Sequence, residues 1–326
     1  MLDTAGLVIL HGCIAALLVE ALLRVWRVQA PGERLALRWL ALVAPLVVPA
    51  VFHFLVPARS AEAFGTDRAL FAGDHWNQLA LGEAGAASIA TVALVAVGAL
   101  LYLRDTIPFL DDRIRGLGEG DIVSGHPALA RVTTLLAGLE QVVGSPRMAV
   151  VLLDRQAPVL LCSGVDRPTL VISTGTLSRL RDDELRAALA HELAHAARRD
   201  PLMGWLLMVV RTLAFFSPAA QVVARQVVQE VEYRADMVVA RLGYSAALGR
   251  AIAILSETAE SESDLVPARP AGGFPRTLLA RAERVAVANR CERVLSQGEL
   301  SVQPGLATVR VGLAAVGLAT LLFFVV

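Results

Sequence analysis

Apolar residues along this chain are concentrated in four long stretches. Residues 39–58 and 84–103 carry no formal charge, and each is bounded by charged residues on both sides. Residues 4–23 and 305–326 are similar, with a single charge near one end. A helix of about 20 apolar residues crosses the roughly 30 Å hydrocarbon core of a bilayer. The pattern therefore predicts four transmembrane helices, three of them within residues 1–103 and one at 305–326.

A shorter apolar segment, 202–217, lies between Pro201 and Pro218 and contains Arg211. It is short for a helix that crosses a bilayer. We therefore predict a helix that lies against the membrane or dips into it, rather than a fifth span.

The region 104–304 has the mixed pattern of a folded domain outside the bilayer. Short β-rich segments at 148–154, 158–164 and 168–174 are separated by turn residues and predict one small antiparallel sheet. Helical spacing predicts helices at 126–143, 182–199, 218–242, 245–258 and 275–297. Asp200 followed by Pro201 has the form of an N-cap and the first helical residue.

Charge asymmetry orients the chain. The connection 24–38 carries four arginines against one glutamate, whereas 59–83 carries two arginines against four acids. The positive-inside rule places the first connection in the cytoplasm. The sequence thus predicts a multi-pass protein of the plasma membrane with its amino terminus outside and 104–304 in the cytoplasm. Because 30 basic residues balance 30 acidic ones, no direct nucleic-acid binding is expected.

The segment ALAHELAHAARRDP, residues 188–201, contains His191 and His195 with Glu192 directly after the first. Histidines at i and i+4 lie on one face of a helix, so both imidazoles can reach one metal ion. The glutamate between them points aside, where it can act as a general base on water. The alternative is a pair of solvated histidines. It is disfavoured because the surrounding alanines and leucines indicate a buried helix, where unpartnered histidines are costly.

A catalytic zinc site needs a third protein ligand and an open position. No histidine occurs further along the chain, so an acid on a later helix is expected. Glu232 and Asp236 lie one turn apart, which lets Glu232 bind zinc while Asp236 accepts a hydrogen bond from His191. Glu230 is the competing ligand, although its spacing from Arg234 favours a surface ion pair. A solvated helix face is the alternative for the two acids.

The segments LRDDELRAALAHELAHAARRDPL and EVEYRADMVVA together resemble the membrane-embedded gluzincins, zinc proteases with H-E-x-x-H and a glutamate in an E-x-x-x-D helix. HELAHAARRDPL and the layout of the spans resemble the BlaR/MecR antirepressor type, peptidase family fifty-six. EYRAD resembles the HtpX/CAAX-protease type, family forty-eight. The resemblance implies a mainly α membrane protein with an α+β zincin-like metalloprotease domain. It also implies one Zn²⁺ per chain, bound by His191, His195 and Glu232.

The function implied is that of an endopeptidase at the cytoplasmic membrane face. Zinc would polarise the scissile carbonyl, and Glu192 would take a proton from water and pass it to the leaving amine. The protein substrate would be a regulator, such as a transcriptional repressor, or a damaged membrane protein. The alternative is a proteolytically silent receptor or scaffold that keeps the protease fold for binding.

Two further elements of the site are expected. The HtpX type often places a His-Pro element and an arginine near the substrate oxyanion, whereas this chain has Phe274 at the position of that histidine. Arg281 and Arg284 are the candidates for the oxyanion stabiliser, with a helix surface as the alternative for both. The segment 168–174 could be an edge strand that pairs with the substrate backbone, or a purely structural strand.

Overall fold

The computed structural model describes residues 2–56, 64, 80–81, 84–114, 122, 126–164, 167–263 and 304–325. In chain order the described elements are α1 (Leu2–Val25), α2 (Pro31–Leu55), β1 (Ala80–Leu81), β2 (Ala84–Gly85), α3 (Ala86–Ile114), α4 (Pro127–Val143), β3 (Ala149–Leu153), β4 (Leu160–Ser163), β5 (Thr169–Ser173), α5 (Thr174–Arg179), α6 (Asp182–Arg198), α7 (Asp200–Leu213), α8 (Pro218–Arg241), α9 (Ser245–Ser263) and α10 (Pro304–Phe323). The helix predicted at 275–297 lies outside the described residues.

The chain divides into two units. The first comprises Met1–Ile114, Trp205–Val231 and Ser301–Val326, and the second comprises Arg115–Gly204 and Glu232–Leu300. Helices α7 and α8 each continue from one unit into the other.

The first unit contains the helices that are long and apolar enough to cross a membrane. Among the described residues these segments are Ala5–Val25, Pro31–Leu55, Ser88–Thr106 and Leu306–Phe323. Helix α2 begins at Pro31, well before the apolar stretch that starts at residue 39, because proline fits the first turn of a helix. The first two turns of α2 therefore carry charged residues. Buried apolar side chains of α1, α2, α7, α8 and α10 form the core of this unit.

The second unit consists of helices packed around a small sheet. Its core is formed by buried leucines, alanines and valines of α4, the sheet, α6 and α9. The predicted fold class, a mainly α membrane protein with an α+β domain, is confirmed.

The sheet is mixed, so the prediction of an antiparallel sheet is wrong in this detail. Strand β5 lies in the centre, parallel to β3 and antiparallel to β4. The connection from β3 to β4 crosses the end of β5, where the Gly175 backbone N–H donates to the Arg155 carbonyl at 2.9 Å. A Cβ at Gly175 would lie 2.0 Å from the Gln156 carbonyl oxygen, so only glycine fits under this crossing. The crossing carries the chain to the far side of β5, where β4 pairs with it.

Candidate active site

Helix α6 is the central element of the site. Its first turn carries Asp182, Asp183 and Glu184, whose negative charges are favourable at a helix N-terminus. The Glu184 carboxylate also accepts a hydrogen bond from the backbone N–H of Arg181 at 3.0 Å. Beyond this turn, leucines and alanines on most sides of the helix are buried, as at Leu189. This segment therefore forms a helix in the interior of the second unit, and the helix holds His191 and His195 there.

The end of α6 is a sharp turn. Arg199 has a φ of 56°, in the left-handed region, and its backbone N–H donates to the Ala196 carbonyl at 3.1 Å. Helix α7 begins at the next residue, Asp200, and Pro201 fits its first turn. The turn brings the Asp200 side chain back against α6, where it contacts His195.

Three ligand-type side chains converge between α6 and α8. The Nε2 atoms of His191 and His195 lie 3.0 Å apart. The two carboxylate oxygens of Glu232 lie 3.4 Å from Nε2 of His191 and 3.6 Å from Nε2 of His195. All the ligand atoms fall within 4.8 Å of one another, which is the arrangement that one metal ion requires.

A buried carboxylate lies behind each imidazole. Nδ1 of His191 is 3.0 Å from Asp236 Oδ1, and Nδ1 of His195 is 2.7 Å from Asp200 Oδ2. In the neutral imidazoles the proton is therefore on Nδ1, so both Nε2 atoms present lone pairs. Two nitrogen lone pairs and a carboxylate repel one another unless a cation lies among them. The chain's own side chains thus fit a bound divalent metal, and a set of two histidines and one glutamate is typical of catalytic zinc.

Glu192 lies beside this cluster, in surroundings that shift its pKa. Desolvation raises its pKa above the ordinary range, and the nearby Glu232 carboxylate acts in the same direction. His191, His195 and a hydrogen bond from the Cys162 backbone partly oppose this effect. A carboxylate with a raised pKa is a better proton acceptor, which is the property that general-base catalysis uses.

The hydrogen bond from the Cys162 backbone to Glu192 indicates that strand β4 lies beside the cluster. The Ser173 N–H donates to the Val159 carbonyl at 2.9 Å, so alternate residues of β4 point their backbone groups towards β5. Leu160 and Cys162 alternate with these residues and point their backbone groups to the other edge of β4, which pairs with no described strand. Burial raises the pKa of the Cys162 thiol to about 12, with Glu192 and Asp200 adding to the effect, so this thiol is protonated at neutral pH.

Of the two alternatives for 168–174, the structure supports the structural strand. The segment contains the central strand β5, both of whose edges are paired, and β4 is the strand beside Glu192. The sequence could not decide between the alternatives, because the order of the strands depends on the crossing at Gly175, which has no signature in the hydrophobic pattern.

The structure brings five predicted residues together: His191, Glu192, His195, Glu232 and Asp236. Their chemical roles stay predictions. The oxyanion candidates Arg281 and Arg284 lie outside the described residues. Asp200 was interpreted only as a helix cap, although a carboxylate shortly after the second histidine was a signal for a histidine partner. Nothing in the sequence pattern pointed to Cys162.

Glu230 occupies a different environment from the one predicted. It is only 6% exposed, and its carboxylate lies 2.8 Å from Arg34 Nε and 3.3 Å from Arg38 Nε. The expected surface ion pair with Arg234 is therefore wrong. The reason is long-range packing, because Arg34 and Arg38 belong to α2, nearly 200 residues away in the chain.

Comparison with known proteins identifies a family and relatives of this chain. A family model described as BlaR1 peptidase M56 matches residues 4–270, which is most of the chain. A protein named Protease HtpX, from Legionella pneumophila subsp. pneumophila, is 32% identical over 74 residues. That alignment covers 22% of this chain and 26% of the relative, so the chain matches about a quarter of the relative's length.

Proposed function

Because the chain belongs to the BlaR1 peptidase M56 family, we propose that this membrane protein is a zinc-dependent endopeptidase. It hydrolyses peptide bonds of a protein substrate at the cytoplasmic face of the membrane. The observation that carries the proposal is the convergence of His191, His195 and Glu232, each presenting a metal-ligand atom to one point.

The roles of the side chains follow from their chemistry. A bound zinc ion supplies Lewis acidity, which polarises a carbonyl group and makes water more acidic. His191, His195 and Glu232 hold the ion, and Asp236 and Asp200 orient the two imidazoles. Glu192 accepts the proton of the attacking water and delivers it to the nitrogen of the leaving amine, so that the C–N bond breaks without expelling an amide anion.

Strand β4 supplies the grip on the substrate. The backbone groups of Leu160 and Cys162 point away from β5, and the Cys162 backbone reaches Glu192. An extended peptide that adds to this edge lies beside the catalytic base. Recognition through backbone groups depends little on side chains, which fits a protease with limited sequence preference.

Helix α7 favours activity at the membrane surface. One stripe of this helix is exposed and apolar: Leu202, Trp205, Leu206, Val209 and Leu213. Their spacing of three or four residues places them on one face, as in helices that lie in the interface plane of a bilayer. On another face, Arg211 binds Asp105 at 2.9 Å. We infer that the apolar face of α7 lies in the inner leaflet.

Two substrate classes fit a peptidase in this position: a regulatory protein such as a transcriptional repressor, and damaged membrane proteins. A variant that binds substrate without cleaving it distinguishes them. Glu192→Gln with a photo-crosslinker at exposed Leu161 on β4 should capture one soluble regulator in the first case. It should capture many membrane proteins in the second.

The test of the proposal begins with the metal. The purified full-length protein should contain about one zinc per chain, measured by elemental mass spectrometry. His191→Ala, His195→Ala and Glu232→Ala should each lose most of it, because three protein ligands are the minimum for a catalytic site. Retention of zinc by Glu232→Ala would exclude that residue as a ligand.

The second part of the test separates binding from catalysis. Glu192→Gln should keep the zinc and the fold and lose peptide hydrolysis by at least about 100-fold, because only the proton acceptor is missing. Hydrolysis is measured with an unstructured protein substrate in the presence of lipid nanodiscs. Unchanged hydrolysis in this variant would contradict the mechanism.

A further inference from the structure

The helix that carries Glu232 is tied to α2 by a set of polar side chains, of which Arg38 and Glu230 are buried. We call this set the Glu230 cluster: Glu20, Arg34, Arg38, Gln226 and Glu230. Both arginines donate through Nε to the Glu230 carboxylate, and Arg38 also binds Gln226 and lies 3.6 Å from Glu20. The cluster lies within the first unit.

The cluster fixes both the rotation and the axial position of α8. Arg34 and Arg38 are one turn apart on α2, and Gln226 and Glu230 are one turn apart on α8. These contacts fit only one register of α8 against α2, because a shift of α8 by one turn would move Gln226 and Glu230 about 5.4 Å away from the two arginines. Arg38 and Glu230 are both buried, so the loss of either one weakens the compensation of the other's charge.

Glu232 follows Glu230 on the same continuous helix. Two residues correspond to about 200° of rotation and about 3 Å of rise, so the two carboxylates face nearly opposite sides of α8. Glu230 is held by α2, and Glu232 points to His191 and His195. Metal–ligand distances in a well-formed site lie within about 0.2 Å of their standard values. A rotation of α8 that moves the Glu232 backbone would therefore weaken its bond to a metal.

We propose that Glu230 is a positioning residue, through which α2 holds the metal ligand Glu232 in place. This inference rests on the proposed zinc site. Helix α2 is long and apolar enough to span the membrane. A displacement of this helix that breaks the Glu230 cluster lowers the metal affinity of the site. The zinc site then responds to the state of the membrane helices.

The test compares zinc affinity across variants of the full-length protein in nanodiscs, by competition with a chelator. Glu230→Gln should weaken zinc binding about tenfold or more, in the range found for residues that orient ligands. Arg34→Gln, at the more exposed border of the cluster, should weaken it by a smaller factor. The visible spectrum of the cobalt-substituted protein should change in Glu230→Gln, because it reports the geometry of the ligands.

Asp105→Asn is the matched control. Asp105 binds Arg225 of the same helix at 2.8 Å and Arg211 of α7, so this variant also breaks an ion cluster that holds α8. It should lower thermal stability but leave the zinc affinity within about threefold and the cobalt spectrum unchanged. An equal loss of zinc affinity in Asp105→Asn would overturn the proposal, since general loosening of the helices would then explain it.

Two further outcomes are decisive. Wild-type zinc affinity in both Glu230→Gln and Arg34→Gln, with loss in Glu232→Gln, overturns the positioning role and leaves the zinc site intact. Wild-type affinity in Glu232→Gln, or no zinc in the wild-type protein, overturns the proposed site itself. If Glu230→Gln does not fold, Arg34→Gln and its cobalt spectrum decide the question.

Discussion

Each histidine of the candidate site has a buried carboxylate on the side away from the converging ligand atoms. Asp236 is 1% exposed and Asp200 is 8% exposed, and each lies within hydrogen-bonding distance of one Nδ1. A carboxylate at this position fixes the tautomer and the direction of the ring, and its charge makes the other nitrogen a stronger ligand. The two acids come from different helices, so the two rings are oriented independently.

This arrangement predicts that Asp236→Asn and Asp200→Asn each lower zinc affinity roughly 10–100-fold without abolishing binding. The amide oxygen can still accept a hydrogen bond from Nδ1–H but carries no charge, so the imidazole becomes a weaker ligand. Chelator competition measures the effect. Asp182→Asn is the control, because Asp182 is on the histidine helix α6 but exposed and paired with Arg131. Equal affinity in all three variants would show that the two buried acids do not orient ligands.

The residues of the site differ in how far the sequence could predict them. His191, Glu192 and His195 follow from helical spacing alone, and Asp236 follows from its position one turn after Glu232. Asp200 could not be assigned in this way, because its contact with His195 depends on the left-handed turn at Arg199. A non-glycine residue in that conformation has no local signature, and the Asp-Pro pair also suits an ordinary helix start.

At the level of elements, the strands were predicted in the right places, but the parallel pairing of β3 with β5 was not predicted. Hydrophobic patterns identify a strand by its own residues, whereas its neighbours in a sheet depend on how the connections run. Here the decisive feature is the close approach of the Gln156 carbonyl to Gly175. This order bears on the proposed function, because β4 rather than β5 has, beside Glu192, an edge that no described strand covers.

The edge position of β4 predicts a specific effect of proline. Leu160→Pro removes a backbone N–H that points away from β5, so the ladder between β4 and β5 is kept. One lost hydrogen bond corresponds to about 1 kcal/mol, so the KM for an extended peptide should rise several-fold to tenfold with the zinc content unchanged. Kinetics with purified protein and elemental analysis measure the two quantities.

Two substitutions control this experiment. Leu160→Ala removes the side chain and keeps the N–H, so its KM should stay near that of the wild type. Leu161→Pro removes a backbone N–H that faces β5 and should instead lower the thermal stability of the protein. An increase of KM in Leu160→Ala equal to that in Leu160→Pro would assign the effect to the side chain and exclude pairing with the substrate backbone.

At the scale of the whole molecule, ion pairs hold the end of α1, the start of α2 and the start of α10 close together in the first unit. Arg38 near the start of α2 lies 3.6 Å from Glu20 near the end of α1. Arg310 near the start of α10 lies 3.4 Å from Glu33 of α2. The basic connection 24–38 is therefore at the same end as the start of the last helix. By the positive-inside rule we expect this end to face the cytoplasm.

The orientation can be tested with single cysteines in a background that lacks Cys13, Cys162 and Cys291. Ser178 on α5 and Ala246 on α9 are exposed positions in the second unit, whereas Leu55, 73% exposed, ends α2 at the opposite side from its arginines. In intact cells an impermeant thiol reagent should label Leu55→Cys and spare both Ser178→Cys and Ala246→Cys. Both should react once the inner face is opened.

Ser178 and Ala246 lie before and after the segment 202–217 in the chain, so the experiment also tests whether this segment crosses the membrane. His191 and His195 precede that segment and Glu232 follows it, so one metal site can include all three only if 202–217 begins and ends on the same side of the membrane. Labelling of both Ser178→Cys and Ala246→Cys from outside would reverse the predicted orientation but leave the site possible. Labelling of only one would mean that 202–217 crosses the bilayer, which separates the ligands and contradicts a zinc site built from His191, His195 and Glu232.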